Sequence, residues 1–186
     1  PRLLSSAASD VYKRQPVGTP PSGQPIQPAS FIYDRYFHGP RFQPHGGVLR
    51  GSGDGGSPGI DGVALMRHQL PATDQFALEK DGERVLLEAL PMLIEAGFQN
   101  AGLVAMETLG YSSLPVGIAW STMLRVPESD EALRLRTIQR EHREDGTTVH
   151  DVLIVGEDDA PVLALKGLQL KAMGRVEEDQ RFSMER

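Results

Sequence analysis

One stretch restricts the possible folds more than any other: "LPMLIEAGFQNAGLVAMETLG", residues 90–110, apolar on nearly every side. Leu90, Leu93, Ile94, Gly97, Phe98 and Ala101 recur at i, i+3, i+4, i+7, i+8 and i+11, the spacing of a helix. Pro91 fits the first turn, where its missing N–H would have no partner anyway, and Gly110 fits the C-terminal cap. A helix with no polar side has to be enclosed by protein. Lipid is not the enclosure: Glu95 and Gln99 interrupt the stretch, and it falls short of the roughly 20 apolar residues a bilayer needs.

The flanking sequence supplies strands for that enclosure. "GGVLRGSGDGGSPGIDGVALMRHQL" gives two short apolar runs around a Gly-rich turn, the second strand near Val63–Leu70. "FALEKDGERVLLEAL" carries an Asp81–Gly82 hairpin turn. After the helix come "LPVGIAWSTMLRV", "LRLRTIQREHRE", "TTVHDVLIVG" and "PVLALKGLQLKAM", with turns at Asp145–Gly146 and "EDDAP". Leu133, Leu135, Thr137 and Gln139 alternate with arginines, which gives one dry face and one wet face. An antiparallel sheet curled around one central helix, an α+β architecture, satisfies the whole pattern.

Bulk properties exclude several functions. A formal charge of −6 lacks the basic face that nucleic acid requires. The absence of cysteine removes disulfides and thiolate metal sites, and fits a reducing compartment. A cytoplasmic protein acting on neither nucleic acid nor membrane is the expectation.

The two ends read differently from the middle. Residues 1–15, "PRLLSSAASDVYKRQ", show neither signal-peptide order nor periodicity. Ser5 to Gln15 back-translates to a string that resembles a transposase-type sequencing adapter, so this segment reads as an adapter scar. Residues 16–30 carry five prolines and read as an extended linker. Residues 31–174 form the expected domain, and 175–186 a charged tail.

Chemistry concentrates on the helix. Glu95 is the only ionisable residue from Ala89 to Met106. In apolar surroundings the neutral acid is favoured over the charged form, and a neutral carboxylic acid is a proton donor. Gln99 follows one turn later on the same face, where its amide can orient the carboxyl group or a substrate oxygen. On spacing alone, a Glu at the helix edge reaching solvent explains the pattern equally well.

At this point the chain resembles a known family. "YFHGPRFQ", "LPMLIEAGFQNAG", "SLPVGIAW" and "DVLIVGEDDAPVLALKGLQLKAM", in this order, are similar to the second half of the dehydratase domain of type I polyketide synthases and polyunsaturated fatty acid synthases. The resemblance covers about residues 31–173. It implies a hot-dog fold, the second half of a double hot-dog. It implies removal of water from a β-hydroxyacyl chain on the phosphopantetheine of an acyl carrier protein, with no metal or other cofactor of the domain's own. It further implies an N-terminal hot-dog half supplying a catalytic histidine, and a dimer in the full megasynthase. Matched residue by residue, Glu95 is the acid and Gln99 its aligner. His38, Gly39, Pro40 and Phe42 match one substrate-binding motif, with His38 where the family has tyrosine, and Leu114, Pro115 and Val116 match another. Two departures stand out. Glu95 replaces aspartate, and the first-half histidine motif does not occur in this chain. The other readings are a non-catalytic hot-dog that binds or docks chains in a megasynthase, and a free-standing hot-dog hydratase or thioesterase.

Other motifs point to structure. "GSGDGGSPG" lacks the Gly-Lys-Ser/Thr ending of a phosphate loop and reads as a turn. His142 and His150 read as exposed strand histidines facing each other across a hairpin, and Trp120 as core. His38 reads as a residue of the pocket mouth and a poor substitute for the missing base.

Overall fold

The computed structural model describes residues 17–23, 25–54, 57–65, 77–80, 83–86, 89–127 and 131–177. Its centre is the expected helix, α2 (Ala89–Leu109), preceded by a one-turn helix α1 (Ala29–Tyr33) and a 3₁₀ turn at Pro40–Phe42. The strands are β1 (Gln27–Pro28), β2 (His45–Asp54), β3 (Ser57–Leu65), β4 (Ala77–Lys80), β5 (Glu83–Leu86), β6 (Tyr111–Met123), β7 (Ala132–His142), β8 (Thr147–Val155) and β9 (Pro161–Arg175). Seven of them form one antiparallel sheet in the order β1-β2-β3-β7-β8-β9-β6, while β4 and β5 pair separately.

The sheet closes on the helix through alternation. Leu133, Leu135 and Thr137 of β7 point inward and are fully buried, while Arg134 and Arg136 between them point outward. Leu93, Ala96 and Ala101 of α2 pack on Leu133, Leu135, Val152, Ile154, Leu163 and Leu165. Each such leucine or isoleucine contributes roughly 1.5–3 kcal/mol by leaving water. Toward its C-terminus α2 packs Leu103, Val104 and Met106 against Ile32, Val48 and Ile60. Gly110 then ends the helix at φ 70°, its N–H bonded to the Met106 carbonyl at 3.0 Å.

The outward face of the sheet is an ion-pair surface. Arg136 grips the fully buried Asp61 through two bonds of 2.7 and 3.0 Å, across a register that sets Asp61 opposite Arg136. Arg140 reaches the buried Asp151 at 3.0 Å. The wet face inferred from the arginines is thus paired rather than simply solvated.

Three expectations change. The 16–30 stretch is not all linker: Gln27–Pro28 adds β1 to the sheet edge, Ala29 begins α1, and the Pro20 carbonyl accepts a bond from Arg134 at 2.8 Å. His150 is fully buried, because its position on β8 faces inward, and it sits opposite Gln139 rather than His142. Trp120 is half-buried on the edge strand β6, with the Lys166 ammonium 5.7 Å from its ring, and belongs to neither core cluster. Strand β3 is described only to Leu65, so the expected continuation to Leu70 and the tip of the Asp81–Gly82 turn lie outside the described residues.

Candidate active site

The helix is not enclosed by the sheet alone. Glu95, Phe98, Gln99, Gly102 and Met106 form a second stripe at i, i+3, i+4, i+7 and i+11, and this stripe lines a cavity of about 450 Å³. Tyr36, Phe37 and His38 line it too, as do Ser113, Leu114 and Pro115 of β6 and Met173 of β9. The apolar side of the helix that the sheet does not cover therefore faces a space of ligand size.

Glu95 is neither solitary nor sealed. Its side chain keeps 21 % of its exposure, and Oε1 lies 2.9 Å from His38 Nε2 and 2.9 Å from Gln99 Nε2. This corrects the expectation of an acid among apolar neighbours. The sequence hid the partner because His38 lies 57 positions away, on the segment between α1 and the 3₁₀ turn.

A directional chain of hydrogen bonds orients Gln99. The backbone N–H of His45 donates to the Tyr33 hydroxyl at 2.7 Å, which commits that oxygen as an acceptor there. The Tyr33 hydroxyl in turn donates to Gln99 Oε1 at 2.9 Å. Gln99 must then present Nε2 on its other side, where it donates to Glu95 Oε1 and to the Phe42 carbonyl at 2.8 Å. Which way the amide points follows from the network. The Tyr36 hydroxyl donates to the Gln99 carbonyl at 2.9 Å and lies against Gly102, where any Cβ would collide with it. Burial above all, with Glu95 and Tyr33 nearby as smaller causes, holds that hydroxyl protonated, well above the usual tyrosine range.

The remaining expected residues divide. His38, Leu114 and Pro115 line the cavity with Glu95 and Gln99. Phe42 contributes its carbonyl, while its ring is exposed. Gly39, Pro40 and Val116 are exposed and do not line the cavity. Sequence reading missed Tyr33, Tyr36, Gly102 and Ser113. The Glu95–Gln99–Gly102–Met106 stripe was readable as a second helical face. Ser113 carried no signal, yet its buried Oγ has no hydrogen-bond partner among the described residues.

Sheet order and enclosed helix define a hot-dog fold, and a solved structure agrees. The dehydratase domain from the CurJ module of the curacin polyketide synthase matches with a TM-score of 0.55 and 17 % identity, over 78 % of this chain and 49 % of that one. This chain thus spans about half of that dehydratase structure. A hypothetical thioesterase from Streptococcus pneumoniae, solved with coenzyme A, matches at 0.48 with 14 % identity over 64 % of this chain and 81 % of that one. The Escherichia coli PaaI protein from the phenylacetic acid degradation operon matches at 0.46 with 14 % identity, over 63 % and 75 %. No family model and no curated protein matches the sequence. Among the described residues no helix is long and apolar enough to cross a membrane.

Proposed function

We propose that this chain is the acid-bearing hot-dog unit of a hydro-lyase that removes water from a β-hydroxyacyl thioester. The observation that carries the reading is Glu95, held through one oxygen 2.9 Å from the Gln99 amide nitrogen and 2.9 Å from His38 Nε2 at the wall of an apolar cavity. The protonated carboxyl gives its hydrogen to the C3 hydroxyl as the C3–O bond breaks and water departs. The C2 proton goes to a base, the C2–H electrons form the double bond, and solvent exchange resets both groups. Phe98, Met106, Leu114 and Met173 accept the acyl chain, and the Ser113 hydroxyl is the donor available to the thioester carbonyl. By resemblance, the base is a histidine of a partner hot-dog half, and the thioester hangs on the phosphopantetheine of an acyl carrier protein in a dimeric megasynthase.

A second reading has its own support. Glu95 keeps access to solvent, so a water held by its carboxylate could attack the thioester carbonyl and make the unit a thioesterase. One assay separates the two. The protein expressed from its whole reading frame is given 3-hydroxybutyryl and crotonyl pantetheine thioesters, with enoyl absorbance and free thiol followed together. Enoyl turnover lost in Glu95→Gln supports the hydro-lyase. Thiol release without enoyl change supports the thioesterase, and equal rates with and without the Glu95 carboxyl remove it from either mechanism.

A further inference from the structure

The replacement of aspartate by glutamate adds one rotatable bond between the helix and the carboxyl group. A proton donor with that freedom loses rate unless something fixes it, since about 1 Å of misplacement can cost about 100-fold. Gln99 supplies one anchor. The other comes from a residue the resemblance assigns only to substrate binding.

We infer that His38 is a positioning residue for Glu95: together with Gln99 it occupies both lone pairs of Oε1 and leaves Oε2 as the oxygen that carries and delivers the proton. The inference rests on the hydro-lyase reading and goes beyond it. The contact between His38 Nε2 and Glu95 Oε1 is 2.9 Å and needs one hydrogen between them. Nδ1 of the same ring is buried with no partner among the described residues. A hydrogen on Nδ1 would be stranded without an acceptor, and orphaned buried N–H groups are rarer than orphaned acceptors. The hydrogen therefore sits on Nε2, and His38 donates.

The ring is itself held in place. It stacks on Phe37 at 4.8 Å between centroids and 14° between planes, and it meets the Tyr36 ring edge-on at 5.4 Å. Gln43 Nε2 donates to the His38 carbonyl at 2.8 Å, fixing the backbone. Two donors arriving from different elements, the helix and the segment after α1, pin the carboxyl plane as one donor cannot. Gln99 also feels the His45–Tyr33 chain, so both anchors trace back to the α1 side of the cavity.

The test uses the protein from its whole reading frame. His38→Phe keeps the stacking ring and removes the donor, whereas His38→Gln keeps an N–H. His38→Phe is expected to lower kcat about 10- to 100-fold with KM within about 2-fold, and His38→Gln to recover most of that loss. In a Glu95→Gln background, His38→Phe should add no further loss. Equal losses in Phe and Gln variants, or a loss confined to KM, would overturn the positioning role. A Glu95→Gln variant with undiminished kcat would instead overturn the hydro-lyase reading. Nitrogen NMR of the unmodified protein gives an answer independent of any variant's folding: a protonated Nε2 with a bare Nδ1 is expected, and the reverse tautomer sinks the inference.

Discussion

Two buried imidazoles make the stability of this fold sensitive to mild acid. His45 is fully buried, with Nε2 3.0 Å from Asn100 Oδ1 and Nδ1 accepting from the Gly47 N–H at 3.2 Å. Burial lowers it from 6.5 to about 4, opposed by the Asn100 bond. His150 is buried on β8 with Nε2 2.8 Å from Thr148 Oγ1, and burial lowers it from 6.5 to about 3. Both folded values lie below the unfolded one, so below pH 6.5 the unfolded chain binds more protons and stability falls with pH. At pH 5 each site is 1.5 units below its unfolded value and still largely neutral when folded, so each costs about 2 kcal/mol. Together they remove about 4 kcal/mol between pH 8 and pH 5, from a total that for a domain of this size is about 5–15 kcal/mol. Asp145, held down to about 2 mainly by Lys171 and Thr147, titrates below this window. Equilibrium urea unfolding at pH 8, 6.5 and 5 measures the effect, and His150→Leu should roughly halve it. An unfolding free energy that is the same at pH 8 and pH 5 would refute the reasoning.

Other perturbations follow from the contacts. Asp61→Ala removes the two-point contact with Arg136 and is expected to cost about 3 kcal/mol in urea unfolding. Gly102→Ala drives a methyl into the Tyr36 hydroxyl; it should cost about 1–3 kcal/mol, lower Tm in a thermal melt and weaken binding of an acyl pantetheine thioester. Ser113→Ala should leave stability within about 0.5 kcal/mol, since Oγ has no partner among the described residues, while raising KM several-fold.

The fold was legible because its signals are local. The apolar stripe of α2, Gly110 at its cap and the Leu133–Leu135–Thr137 alternation each specify their own element without help from distant residues. Glu95 and Gln99 were legible for the same reason, being one turn apart. What pairs with them was not. His38 and Tyr33 reach the helix from 57 and 66 positions away, and nothing in their local sequence states that distance. His150 was misread because a histidine among strand residues looks exposed by type, whereas its inward register position decides the matter. Trp120 was misread in the opposite sense: its size predicts burial, but β6 is the edge of the sheet.

Neighbouring positions on α2 show how the fold and the site share parts. Gln99 and Asn100 lie about 100° apart around the helix, so they serve different sides. Asn100 turns to the sheet, where Nδ2 donates to the Ile60 carbonyl at 2.9 Å and to Thr137 Oγ1 at 2.8 Å, and Oδ1 meets His45. Gln99 turns to the cavity and holds Glu95. The two sides meet again at His45, whose ring is locked to Asn100 while its backbone N–H fixes Tyr33, and through Tyr33 the direction of Gln99. Protonating His45 therefore strains the start of β2 and the orientation of the acid's partner by the same event. Acid that reaches this imidazole in the folded protein, near pH 4, should disorder the Glu95 carboxyl along with it.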